Sequence, residues 1–166
     1  MNTIITLLHS RDIIPDKNVD LVLLKAQKED VDILSQMHAE AFSQSLVEIK
    51  TTKASLLDSL QRPNMVLWKF FDKKTQNIIG MASSTFDGHL IHLADVVINK
   101  KHRNQGFGQL LMSNLIDQTR LIYNRPKVYL QLRITNQVAL HVYLKLGFEF
   151  VDMHHLSNQE KWLKAS

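Results

Sequence analysis

One twelve-residue run constrains this chain more than any other: Lys100-Lys101-His102-Arg103-Asn104-Gln105-Gly106-Phe107-Gly108-Gln109-Leu110-Leu111. It follows an apolar, β-branched segment, Val96-Val97-Ile98, that reads as a strand, and it opens a segment with helical spacing. Two glycines two apart let a backbone come close to a ligand, because neither carries a Cβ. The first N–H groups of a helix have no partner inside it, and the helix dipole makes that end positive. Basic residues precede the turn. A strand, this turn and a helix start therefore read as a backbone cradle for an anion, a phosphate above all. The third glycine of a dinucleotide-binding fingerprint is absent, and no Gly-Lys-Ser/Thr follows, so neither that motif nor a Walker A loop applies. The run also suits an ordinary loop, and the rest of the chain has to decide between the two.

The remaining pattern alternates strands with helices. Thr3 to Leu8 reads as a short strand in an N-terminal extension, residues 1–18, closed by a turn at Pro15-Asp16-Lys17-Asn18. The main domain, residues 19–166, starts with a strand from Val19 to Ala26. A helix is expected over Glu29 to Phe42, with Ile33, Met37 and Ala41 on one face, and another over Thr52 to Leu60. Strands follow over Met65 to Phe71, Ile78 to Phe86 and His89 to Ile98, with Asp87-Gly88 as a two-residue hairpin turn. The helix after the glycine turn runs from about Gly106 to Ile122, with Phe107, Leu111, Leu115 and Ile122 sharing a face. Lys127 to Ile134 alternates as a strand. Asn136 to Leu146 is a short helix, with Asn136 as N-cap and Gly147 at its end. Phe148 to Val151 and Trp162 to Lys164 complete the pattern. This order predicts an α/β domain with a mixed sheet of six to seven strands flanked by about four helices.

Composition narrows the function classes. A chain of 166 residues with 45% apolar content can bury one core. It contains no cysteine, which excludes disulfides, thiolate zinc sites and a cysteine nucleophile. No metal-ligand spacing stands out, so no metal is expected. The net charge of +4 is mild, and no basic stripe carries interleaved aromatics, so nucleic acid is not the expected partner. No apolar stretch is long enough for a membrane span. The first residues lack a basic segment, and a cytoplasmic location is the expectation.

A second motif decides the reading of the first. Asn136-x-x-Ala139-x-x-x-Tyr143-x-x-x-Gly147-Phe148 begins 33 residues after Arg103. Ala139 and Tyr143 are four apart and share a helix face. With Arg103-x-x-Gly106-x-Gly108 and the order of elements, this segment resembles the GNAT superfamily of N-acetyltransferases, over roughly residues 19–164. The resemblance implies that acetyl-CoA is the co-substrate and a primary amine the acceptor. It implies a sheet whose two parallel strands splay to hold the pantetheine arm. Val96, Val97 and Ile98 would meet that arm. The amides of Asn104, Gln105, Gly106, Phe107, Gly108 and Gln109 would hold the pyrophosphate, with Arg103 and Lys145 adding charge. Asn136 and Ala139 would border the arm, and Tyr143 would protonate the departing thiolate. A tyrosine on a short helix also serves simply as core, and an asparagine at a helix start simply as a cap.

The general base is the least defined role. Leu93-Ala94-Asp95-Val96-Val97-Ile98 resembles a segment of diamine and glucosamine-phosphate members, whose Glu is Ala94 here. Asp95 and His92 remain as candidates. A regular strand puts them on opposite faces, and only a bulge would turn both into one cleft. Asp95 also suits a structural acceptor, and His92 an exposed sheet face. The first helix and its following loop, with His38, Glu40, Phe42 and Glu48, and the loop holding His154-His155 would wall the acceptor side. Glu40, Glu48, Asp95 and Asp152 would draw a cationic amine. A non-catalytic acyl-CoA-binding module is the alternative reading. The N-terminal strand offers an edge for a homodimer.

Overall fold

The computed structural model describes residues 3–14, 18–42, 46–125 and 127–152, without the side chains of Leu46, Val47 and Ile49. The expected strand at Trp162 to Lys164, His154-His155 and Pro15 to Lys17 lie outside the described residues. The strands are β1 (Ile4–His9), β2 (Leu21–Lys25), β3 (Met65–Asp72), β4 (Asn77–Phe86), β5 (Ile91–Ile98), β6 (Val128–Arg133) and β7 (Glu149–Val151). The helices are α1 (Val31–Phe42), α2 (Leu46–Ser59), α3 (Phe107–Tyr123) and α4 (Gln137–Lys145). All seven strands join one sheet in the order β2-β3-β4-β5-β6-β1-β7, parallel at β5–β6 and antiparallel elsewhere. Among the described residues no helix is long and apolar enough to cross a membrane.

Period-2 patterning splits the sheet into two apolar faces. Ile79, Ile91, Leu93, Val128, Leu130 and Leu132 pack with Leu111, Leu115 and Ile116 of α3 and Leu140 of α4. On the other face, Leu67, Met81 and Val97 pack with Val31, Leu34 and Met37 of α1 and Leu56 of α2. Several helix faces are rotated from the expected ones. Ile33 is 52% exposed and Ile122 42% exposed, because the helices present Val31, Leu34 and Met37, and Leu111, Met112, Leu115, Ile116 and Thr119, to the sheet instead. Helix α2 starts earlier than the expected Thr52, which therefore lies inside it. The Asp87-Gly88 turn is also longer than two residues. Phe86 pairs with Ile91, and the Asp87 carboxylate accepts from the N–H groups of His89 and Leu90, which closes a four-residue loop.

The N-terminal strand is an interior strand. β1 pairs with β6 from Ile4↔Arg133 to His9↔Val128, and with β7 on its other side. Leu7, Thr6 and His9 are buried. Its backbone is thus paired along its length with β6 and over Thr6 to Leu8 with β7, so it is not the outer strand expected from sequence as a dimer edge.

Candidate active site

The site forms where β5 and β6 part. Their parallel pairing covers only Ile91↔Val128 and His92↔Tyr129. Beyond that point the facing backbone groups have no ladder partner among the described residues, and each needs one from elsewhere. Two clefts open there. One, of about 640 Å³, runs from Val96, Val97 and Ile98 past Arg103 and the glycine turn to the face of α4 that carries Asn136, Ala139, Tyr143 and Lys145. The other, of about 560 Å³, lies between β5 and β6, with Asp95, Gln131 and Arg133 on its walls. Val96, Asn136, Ala139 and Tyr143 line both, so the clefts meet at the Tyr143 ring.

The glycine turn has the conformation its residues favour. Asn104 (φ 61°) and Gly106 (φ 79°) are both left-handed, a region that asparagine and glycine tolerate best. The loop is pinned by Asn99, whose side chain accepts from the Lys101 N–H at 3.1 Å and whose carbonyl accepts from the His102 N–H at 2.8 Å. Gly106 is the N-cap of α3, and the first N–H to reach back into the helix is that of Leu110, to the Gly106 carbonyl. The amides of Phe107, Gly108 and Gln109 precede that bond and lie on the cleft. A side chain at Gly106 would meet nothing within 4 Å, so the mouth of the cradle is open. Arg103 donates through Nε to the Ile98 carbonyl at 3.0 Å, which ties the loop to the end of β5 and leaves the rest of the guanidinium exposed.

A β-bulge shapes the other wall. The β4–β5 register slips between Met81↔Val97 and Ser83↔Ala94, and Asp95 sits in the bulge at φ 52°. The bulge turns Asp95 to the side of the sheet that carries His92 and α1. There, His38 Nε2 of α1 lies 3.1 Å from Asp95 Oδ1, and Ser83 Oγ donates to Oδ2 at 2.8 Å. The His38 hydrogen bond, followed by that of Ser83, holds the Asp95 carboxyl below the usual aspartate range against the opposing effect of burial. His92 is held below the usual histidine value by burial, opposed by the Asp95 charge, and its ring stacks on Tyr129 at 4.8 Å. It lines neither cleft. Tyr143 is buried, its ring 5.6 Å from that of Phe148, and burial pushes its phenol up to about 12. Asn136 caps α4 by accepting from the Ala139 N–H at 3.3 Å. Of the acidic residues expected to attract an amine, Asp95 alone lines the second cleft among the described residues.

With the geometry in place, the sequence matches the Acetyltransferase (GNAT) family over residues 31–148. The chain belongs to the GNAT acetyltransferase family. An N-alpha-acetyltransferase of Sulfurisphaera tokodaii is 27% identical over 78 residues, 45% of this chain and 47% of that protein. A spermidine N(1)-acetyltransferase of Vibrio cholerae is 29% identical over 83 residues, 49% of this chain and 47% of that protein. The chain therefore spans about half the length of the curated relatives it matches. The crystal structure of the Vibrio cholerae spermidine N-acetyltransferase in complex with CoA and spermine superposes with a TM-score of 0.66 at 18% identity, over 78% of this chain and 81% of that one. A predicted acetyltransferase of Clostridium acetobutylicum with acetyl-CoA gives 0.65 at 16% identity, over 80% and 92%. Both likenesses establish the GNAT fold.

Sequence reasoning missed four residues in and behind the walls of these clefts: Gly80, His38 as the partner of Asp95, Ser83 and Arg133. Gly80 faces Ile98 across the β4–β5 ladder, and a Cβ there would lie 2.9 Å from the Val97 carbonyl oxygen, 3.0 Å from Ile98 Cδ1 and 3.2 Å from Leu111 Cδ1. Only glycine lets β5 pass this close beneath α3. Gly80→Ala is expected to cost about 1–3 kcal/mol and to lower the melting temperature by about 2–4 °C per kcal/mol. A melting curve superposable on wild type would show that β5 can shift freely. For Asp95→Asn, the amide keeps a residue tolerant of φ > 0 but loses the charge. The expected loss is about 1–2 kcal/mol at pH 7, modest because the carboxylate is 34% exposed and screened. Since the folded pKa is depressed, this stabilisation is present above the ordinary aspartate value and disappears as pH falls through the folded one. Urea unfolding at pH 7 and pH 3 should show the two proteins converging in acid.

Proposed function

We propose that this protein transfers the acetyl group of acetyl-CoA to a primary amine. The observation that carries the proposal is the meeting of the two clefts at Tyr143. One cleft has a helix-start glycine turn suited to phosphates and a strand edge unpaired among the described residues, and the other has the Asp95 carboxylate on its wall. The fit to acetyl-CoA rests on the open cradle at Gly106 and on the β5 edge beyond His92, whose free amide groups suit an amide-bearing arm laid alongside as an added strand. Arg103 and Lys145 add positive charge at the phosphate end.

In this reading, the amine enters past Asp95, whose carboxylate favours an ammonium group. The ammonium loses its proton through water, and His92, which lines neither cleft, is not placed to take it directly. The nitrogen forms a bond to the thioester carbon while a strand N–H at Val96 or Val97 stabilises the oxyanion. The C–S bond then breaks as the oxyanion collapses, the Tyr143 phenol gives its proton to the departing thiolate, and the extra proton on the acylated nitrogen returns to the phenolate through water. Held up at about 12, that phenol stays protonated throughout the neutral range, as a proton donor requires. The deciding measurement is release of free thiol from acetyl-CoA in the presence of an amine panel. Amine-dependent release supports transfer. Binding of acetyl-CoA without release for any amine would leave a binding module in its place.

A further inference from the structure

We infer that the acceptor is a small primary amine that also carries a carboxylate beside an apolar body, as a free hydrophobic amino acid does, and that Arg133 binds the carboxylate. The inference rests on the transfer reading above. β6 alternates, so Val128, Leu130 and Leu132 enter the core while Gln131 and Arg133 turn to the opposite side, the side of Asp95. Arg133 and Asp95 are the charged residues among those lining this cleft, one on each of the parting strands. Their states differ. Both Asp95 oxygens already accept, from His38 and from Ser83. No ion pair or hydrogen bond ties up the Arg133 guanidinium among the described residues. A guanidinium is a planar fork that matches a carboxylate with two parallel hydrogen bonds.

The rest of the wall is apolar. Ile4 of β1 and Phe42 at the end of α1 line the same cleft and are 53% and 55% exposed, so they offer surface to a hydrocarbon group. A single ammonium is served by the residual field of Asp95 and lies towards Tyr143. A polyamine would bring its further ammonium groups against Arg133, and like charges at close quarters are unfavourable. The charge layout thus favours a zwitterion over a polycation.

The test compares leucine with leucinamide, isoamylamine, O-phosphoethanolamine and spermidine in the thiol-release assay, on wild type, Arg133→Gln and Arg133→Lys. Leucine is expected to exceed isoamylamine and spermidine in kcat/KM by about 10-fold or more. Arg133→Gln should erase that preference through a rise in KM for leucine with the melting temperature near wild type, and Arg133→Lys should retain part of it. Equal or faster turnover of isoamylamine, leucinamide or spermidine by wild type overturns the inference and leaves amine transfer standing. Faster turnover of O-phosphoethanolamine overturns the carboxylate assignment. A preference for leucine that survives Arg133→Gln overturns the role of Arg133. Release with no amine overturns both this inference and the transfer reading beneath it.

Discussion

Replacing Tyr143 by phenylalanine is expected to lower kcat about 100-fold, the lower end of what a positioned proton donor supplies. The ring packs in the core against Phe148, and phenylalanine keeps that packing. Acetyl-CoA affinity and melting temperature should therefore stay near wild type, and the loss should fall on turnover. The pH dependence adds a second check. A phenol raised to about 12 by burial keeps its proton until the pH approaches that value, so it should impose no alkaline decline on kcat across pH 6–10. Steady-state kinetics over that range would expose a decline that vanishes in Tyr143→Phe, which would mean a phenol far more acidic than its burial dictates. Unchanged kcat at pH 7.5 would remove Tyr143 from the chemistry altogether.

The largest effect on stability is expected at His9. It is 1% exposed, and both ring nitrogens are committed. Nε2 lies 2.9 Å from the Leu146 carbonyl and donates to it, so Nδ1 accepts from Arg120 of α3 at 2.7 Å. Arg120 also donates to the carbonyls of His9 and Arg11. The ring packs edge-on to Phe148 at 5.1 Å, and Phe148 in turn touches Tyr143. The N-terminal strand thus clamps the end of the helix that carries Tyr143. His9→Ala removes the ring, leaves Leu146 O without that donor and takes one hydrogen bond from the half-buried Arg120 guanidinium, and is expected to cost about 3–4 kcal/mol. Chemical denaturation would check it, and a loss under 1 kcal/mol would show that β1 is only loosely docked.

The same residue predicts a pH window. Burial, partly offset by the Leu146 bond, holds His9 below the usual 6.5, and the positive charge of Arg120 works in the same direction as burial. The folded protein therefore binds the proton less readily than the unfolded chain. Stability from this group is complete above pH 6.5, declines as pH falls below it, and is lost once the folded pKa is passed. In His9→Ala that part of the acid slope should be missing.

Local chemistry was enough to place the glycine turn and the Tyr143 helix. Arg103, Gly106 and Gly108 lie within six residues, and Asn136 to Gly147 form one short helix with its cap and stop. Such features depend on φ preferences, helix ends and i,i+4 spacing, all of which a single segment carries. The helix faces were less legible. Ile33 and Ile122 have the right spacing but lie outside the faces that meet the sheet, because rotation about a helix axis is set by what packs against it.

What only the tertiary structure decided depends on strands distant in sequence. Residues 4–9 become an interior strand because β6 and β7, more than a hundred residues later, leave a slot between them. Whether a strand is an edge or a centre depends on its neighbours, and its own sequence says little about them. His92 and Asp95 share a face because a bulge breaks the period-2 rule, and the Asp95 carboxylate is anchored by His38, 57 positions away. Gly80 matters because β5 and α3 both crowd one point of β4. The sequence by itself determined the glycine turn and the capped helix that carries Tyr143, because backbone preference and helix-end chemistry are local. The tertiary structure decided how those segments face one another, because close packing between remote elements sets distances that no single segment encodes.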